Sequence, residues 1–123
     1  MIIRAHEAPI EPAEPGVTRQ VLGHDPELMM VRVTFEQGAV GYVHSHSHRQ
    51  VTYVERGLFR FTLDGTETEM AAGDCWFVPP GVPHGAVALE AGALIDVFTP
   101  ARIDFLPAVS VASDDQADAA RGR

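Results

Sequence analysis

Lysine is absent from this 123-residue chain, and all nine basic residues are arginine. Without lysine, a Schiff base on a side-chain amine is excluded. Cysteine is nearly absent too. Cys75 stands alone, so no disulfide forms within the chain, and a reducing compartment, the cytoplasm, is the expected setting. Positive charge is in short supply: nine basic residues face 17 acidic ones, a formal net charge of −8. Nucleic acid and anionic membrane surfaces are held by clustered basic charge, so neither is an expected partner. Long apolar runs are missing as well. Nothing approaches the ~20 residues of a membrane span, and Met1-Ile2-Ile3-Arg4-Ala5-His6-Glu7 turns polar too soon for a signal peptide. No segment carries a sustained helical stripe, and no repeat of solenoid period occurs.

What is present fits one soluble domain. Apolar residues make up 46% and charged residues 21%, too much of the first and too little of the second for a disordered chain. Pro9, Pro12 and Pro15, interleaved with Glu11 and Glu14, exclude a helix or a sheet interior, so residues 1–16 read as an extended arm. After Val111 the chain has no bulky apolar residue, so 107–123 reads as a disordered tail. The folded part is then 17–106, and it reads as strand after strand. Leu28 to Phe35 is apolar and β-branched. Gln50 to Glu55 and Leu58 to Leu63 follow, and Asp64-Gly65 is a type I′ hairpin signal before Thr66 to Met70. Cys75 to Val78 and Ala93 to Phe98 are further short apolar runs. Trp76, Phe77, Met29, Met30 and Cys75 are expected in the core, with Tyr42, Tyr53 or Trp76 as possible pocket walls. Arg49, Arg56 and Arg60 are expected on a solvated face. Many short strands with close turn signals make the fold class all-β, a sandwich or barrel.

The chemistry concentrates in His44, His46, His48 and Gln50. On a straight strand all four side chains face one way, but positions 44 and 50 lie roughly 20 Å apart. Metal bonds to imidazole are only about 2.0–2.1 Å long. If the cluster chelates, the chain turns back between His46 and Gln50, and Ser47-His48-Arg49 is a polar bend able to do so. His44 and His46 then form a chelating pair, with Gln50 arriving from the next strand. His84 is the candidate fourth ligand, aimed by the rigid Pro79-Pro80-Gly81-Val82-Pro83 turn. His48 is left to support the site or face solvent. A single histidine is more often bonded to backbone than to a metal; the case rests on the joint spacing.

That spacing resembles a known family. Gly38, five residues, His44, one residue, His46, three residues, Gln50, six residues and Gly57 resemble the first cupin motif. Gly73, five residues, Pro79, one residue, Gly81, two residues and His84 resemble the second. The resemblance implies a single-domain, RmlC-like jelly-roll β-barrel with one divalent transition metal (Zn, Ni, Fe or Mn) in its mouth. Two positions depart from the pattern. Gln50 stands where many cupins have Glu, and Ala88 where the second motif usually has Asn. A neutral Gln leaves the ion without an anionic protein ligand, hence a harder Lewis acid toward a carboxylate or enolate.

The run from His44 to Gln50, with Asp96-Val-Phe98-Thr-Pro100-Ala-Arg102 later, looks like the KdgF family of pectin-degradation cupins. That family opens the ring of 4,5-unsaturated monouronates to linear keto-uronates. The resemblance implies metal ligation by His44, His46, Gln50 and His84, catalysis by Asp96 and Arg102, and substrate contact by Phe98 and Arg102. Asp96, two residues from Phe98 on one strand face, is costly inside a barrel if ionised and unpaired, so a partner is expected in Arg102 or the metal. The substrate is then a carboxylate sugar, clamped bidentately by Arg102. Other readings of the same motifs are an Fe- or Ni-dependent dioxygenase and a non-catalytic small-molecule sensor. A homodimer is expected, with the proline-rich arm covering a strand edge of the partner.

Overall fold

The computed structural model describes residues 1–107, so the expected tail, Pro107 apart, lies outside the described residues. Within them run β1 (Glu11–Glu14), β2 (Val17–Asp25), β3 (Leu28–Phe35), β4 (Val40–His44), β5 (Arg49–Leu63), β6 (Thr66–Ala71), β7 (Cys75–Val78) and β8 (His84–Thr99). Two short 3-10 turns, Ala5–Glu7 and Ile103–Phe105, complete the elements. The fold is an all-β jelly roll, and no described helix is long and apolar enough to cross a membrane.

Two long strands organise the roll. The first half of β5 pairs with β7 and with the second half of β8, while its second half pairs with β6 and with the first half of β8. β8 in turn takes β4 beside its first half and β3 beside its second. Both strands therefore pass from one sheet to the other, with register shifts between Val54 and Phe59. Gly57, at φ +90°, makes that passage possible. A Cβ there would stand 2.7 Å from the Ala91 carbonyl oxygen and 2.8 Å from the Gly92 Cα, a conformation and an approach that only glycine tolerates. Gln50 to Glu55 and Leu58 to Leu63, expected as two strands, are thus two halves of β5.

Alternation puts Val54, Phe59, Phe61, Trp76, Val78, Ala88 and Leu94 into one apolar core, and Met29, Val31, Phe98 and Ala101 into a second. Trp76 stacks on Phe61 with ring centroids 3.7 Å apart. Three core expectations are corrected: Phe77, Met30 and Cys75 point outward and are exposed. Their neighbours Trp76, Val78 and Met29 take the inward positions. The N-terminal segment carries the 3-10 turn Ala5–Glu7, and its residues 11–14 pair antiparallel with β2 of the same chain as an edge strand, where proline is tolerated. Asp64 (φ 49°) and Gly65 (φ 83°) both adopt the positive φ that the I′ hairpin requires.

Candidate metal centre

The site is assembled at one mouth of the roll. β4 ends on His44 and β8 begins on His84, and the two residues are register partners. Between β4 and β5 the chain bends through Ser45 to His48, and the Gly81 amide donates to the His46 carbonyl at 2.7 Å. That bond ties the bend to the proline-rich turn and brings His46 beside His84. One ring nitrogen from each of His44, His46 and His84 lies within 4.8 Å of the others. Gln50, second residue of β5, points inward and meets the cluster, with Oε1 3.0 Å from His46 Nε2. The reversal between His46 and Gln50 is the one that chelation demanded of the sequence.

The tautomers follow from the partners. Nδ1 of His44 donates to the Tyr42 carbonyl (2.9 Å), Nδ1 of His46 to the His48 carbonyl (3.2 Å) and Nδ1 of His84 to the Val82 carbonyl (2.9 Å). Each ring spends its proton on a backbone acceptor, which leaves Nε2 as a bare lone pair. Nε2 of His84 is buried with no hydrogen-bond partner among the described residues. Burial, with help from the Arg102 charge, pushes His46 down to about 4, and burial also lowers His84. These imidazoles are neutral at pH 7, the form that binds metal.

Gln50 supplies a second constraint. Asp96 Oδ1 accepts from the Thr52 hydroxyl at 2.6 Å, so Thr52 has only its lone pairs left for Gln50, and Gln50 Nε2 donates to Thr52 Oγ1 at 2.8 Å. The amide is thereby fixed with Oε1 toward His46. Two acceptors, Gln50 Oε1 and His46 Nε2, then face each other at 3.0 Å. Such a pair is repulsive on its own and is relieved by a cation bound to both. Three imidazoles and an amide oxygen are a donor set for a borderline divalent transition metal. The residues present fit the expected group.

Beside the ligands lies a cavity of about 480 Å³, lined among others by Arg19, Tyr42, Trp76, Asp96, Phe98 and Arg102. Phe98 sits opposite Gln50 in register and Asp96 opposite Thr52. The Phe98 ring packs edge-on to His46, with centroids 5.8 Å apart. Burial pushes Asp96 up to about 6, against the downward pull of the Thr52 hydrogen bond. Of the partners expected for Asp96, Arg102 acts on it through its charge, while the direct hydrogen bond comes from Thr52. Arg102 is buried and spends Nε and one terminal nitrogen on Asp104 (3.1 and 3.0 Å). Its guanidinium carbon also lies 4.3 Å from the Phe105 ring centroid.

His48 is buried between His46 and Phe98, and its contribution to the site is the carbonyl that orients His46. Tyr42 and Trp76 line the cavity, while Tyr53 faces outward. Sequence reasoning missed Thr52 and Asp104. Thr52 had a signal, lying two residues beyond Gln50 on the same strand face and thus beside its amide.

Comparison with known proteins agrees with this geometry. The cupin domain family matches residues 31–98. The pectin degradation protein KdgF of Dickeya dadantii (strain 3937) is 39% identical over 102 residues, spanning 81% of this chain and 93% of that one. The solved structure of KdgF from Halomonas sp. superposes with a TM-score of 0.83 at 41% identity, covering 86% of this chain and 98% of that one. An RmlC-like cupin from Shewanella frigidimarina NCIMB 400 also superposes at 0.83, with 48% identity over 85% of this chain and 95% of that one. This chain belongs to the cupin family, among the small single-domain cupins closely related to the KdgF pectin-degradation proteins.

Proposed function

We propose that this protein is a metal-dependent, isomerase-type enzyme that opens the ring of 4,5-unsaturated monouronates from pectin or alginate breakdown to linear keto-uronates. The observation that carries the reading is the facing acceptor pair, His46 Nε2 and Gln50 Oε1, which calls for a cation directly beside an inward-facing Asp96. Likeness to the KdgF proteins over most of the chain supports the substrate class.

His44, His46, His84 and Gln50 would hold the ion, which supplies Lewis acidity toward the oxygens of a substrate carboxylate. The chemistry left to the protein is a proton relay. The anomeric hydroxyl loses its proton, the bond from C1 to the ring oxygen breaks to leave an aldehyde, and the resulting enolate takes a proton at C4. No atom is gained or lost overall. Asp96 is our assignment for both transfers: raised to about 6, it accepts a proton readily at pH 7 and returns it without a large penalty. Thr52 fixes its orientation through one oxygen. Arg102 keeps a positive charge at the cavity wall while Asp104 holds it in place, so it attracts the sugar carboxylate with the part of its fork that Asp104 leaves open. Phe98 offers an apolar face to the sugar.

The test is direct. The absorbance of an unsaturated uronate falls faster with the zinc-loaded protein than in its absence, under anaerobic conditions as well as in air. Equal rates with and without protein reject the activity, and a strict need for oxygen transfers the assignment to a dioxygenase.

A further inference from the structure

Two of the nine arginines in this acidic chain, Arg19 and Arg102, line the cavity beside the metal ligands. Arg102 reaches it from the segment after β8 and is paired with Asp104. Arg19 reaches it from β2, where it sits between Val17 and Val21, which pack against the two apolar cores. Across the sheet its register row continues through Val33, Leu94 and Val54, all of them core residues or packed on the core. Arg19 is thus a guanidinium in a row of otherwise apolar, inward side chains, a costly place for a charge that nothing polar answers. Its guanidinium carbon stands 4.0 Å over the Phe105 ring centroid, and that of Arg102 lies 4.3 Å from the same centroid. One ring in the cavity wall therefore holds two cations side by side, an arrangement that a bound anion relieves.

We propose that Arg19 is a second substrate-binding residue, which takes the carboxylate of a sugar acid together with Arg102 and thereby selects uronates over neutral sugars. The inference rests on the reading of this cavity as a sugar-acid site. A uronate differs from its neutral aldose by one carboxylate, and a planar guanidinium fork matches that group in shape and charge. Arg102 by itself offers only part of a fork, because Asp104 takes Nε and one terminal nitrogen. Arg19 supplies the donors that Arg102 has spent. Glu11 faces Arg19 in register from β1, and a guanidinium with five N–H donors serves a partner in the wall and a ligand at once. The stack on Phe105 holds the group in place before the ligand arrives, so little side-chain freedom is lost on binding.

Trp76, the one tryptophan of the chain, lines the same cavity and reports its occupancy by fluorescence. The zinc-loaded full chain is titrated with galacturonate, a saturated uronate without the double bond that the reaction needs, and with galactose, its neutral counterpart. Wild type binds galacturonate at least tenfold more tightly, the worth of one charge-assisted hydrogen bond. Arg19→Gln removes most of that preference. It also raises KM for the unsaturated uronate about tenfold while kcat falls less than about threefold, the pattern of lost binding rather than lost chemistry. Arg19→Lys keeps the charge over Phe105 without the fork, and its preference and KM lie between the two. Circular dichroism and zinc content stay those of wild type. A wild type without the preference overturns the inference, as does either variant with wild-type preference and KM, or a loss confined to kcat. The two readings fail separately. Turnover by wild type with Arg19→Gln unchanged refutes the role of Arg19 alone, whereas an Arg19-dependent preference in a protein that turns over no uronate refutes the proposed activity and leaves the inference standing.

Discussion

Asp96→Asn separates the demands of chemistry from those of folding. In the metal-free protein the Asp96 carboxyl is raised from 3.8 to about 6, chiefly because burial disfavours its charge. The folded state therefore holds the proton more tightly than the unfolded chain between those values. Below pH 3.8 both states are protonated and nothing is lost; above pH 6 the full cost of burying the carboxylate is present. The shift corresponds to about 3 kcal/mol, and the face that Asp96 keeps toward the cavity reduces this to about 2 kcal/mol. Asparagine keeps the acceptor for Thr52 without the charge. The metal-free variant is thus expected to be more stable than wild type by about 2 kcal/mol at pH 8, or roughly 10 °C in melting temperature, and to lose most of that advantage by pH 4.5. The lowered histidines destabilise both proteins equally as pH falls from 6.5 and cancel in the difference. Chelator-treated protein melted across pH 4.5–8 provides the measurement. Uronate turnover by the metal-loaded variant falls at least a hundredfold, the usual worth of a general acid–base group. A stability difference that does not depend on pH refutes the account of Asp96.

Gln50→Glu gives the site the anionic ligand common among cupins but removes the amide donor to Thr52 and sets a second carboxylate about 3.5 Å from Asp96. Calorimetric titration is expected to show tighter metal binding while turnover drops, because like charge raises Asp96 further and spoils its role near pH 7. Asp104→Ala leaves the buried Arg102 charge unpaired, costing about 3–5 kcal/mol in urea denaturation. Gly57→Ala forces a Cβ onto the Ala91 carbonyl at positive φ, and a loss of more than about 2 kcal/mol is expected by the same assay.

The parts of the fold legible in the sequence are those where side-chain parity is unambiguous. Leu28–Phe35 and Cys75–Val78 appear with the limits expected, and the Asp64-Gly65 hairpin follows from the two positive φ values it needs. β2 was illegible because its inward face lines a polar cavity: Arg19 takes an inward position, where it stacks 4.0 Å over Phe105, so the alternation that marks a strand is broken. β5 reads as two strands because Gly57 interrupts a continuous one. The run Cys75-Trp76-Phe77-Val78 is apolar throughout and carries no parity signal, so the exposure of Cys75 and Phe77 follows only from the sheet register. At the site, motif spacing placed His44, His46, Gln50 and His84 together, because a bend and a rigid proline turn have few ways to run. The direct hydrogen-bond partners, Thr52 for Asp96 and Asp104 for Arg102, depend on side-chain directions that spacing does not encode.

The central claim is that three imidazoles and an amide oxygen share one cation. Elemental analysis by plasma mass spectrometry after dialysis against a zinc, nickel, iron and manganese mixture tests it most directly. Wild type is expected to retain about one metal ion per chain, and His46→Ala and His84→Ala to retain less than about a tenth of that while keeping the β-sheet circular dichroism. Equal metal content in wild type and both variants contradicts the claim.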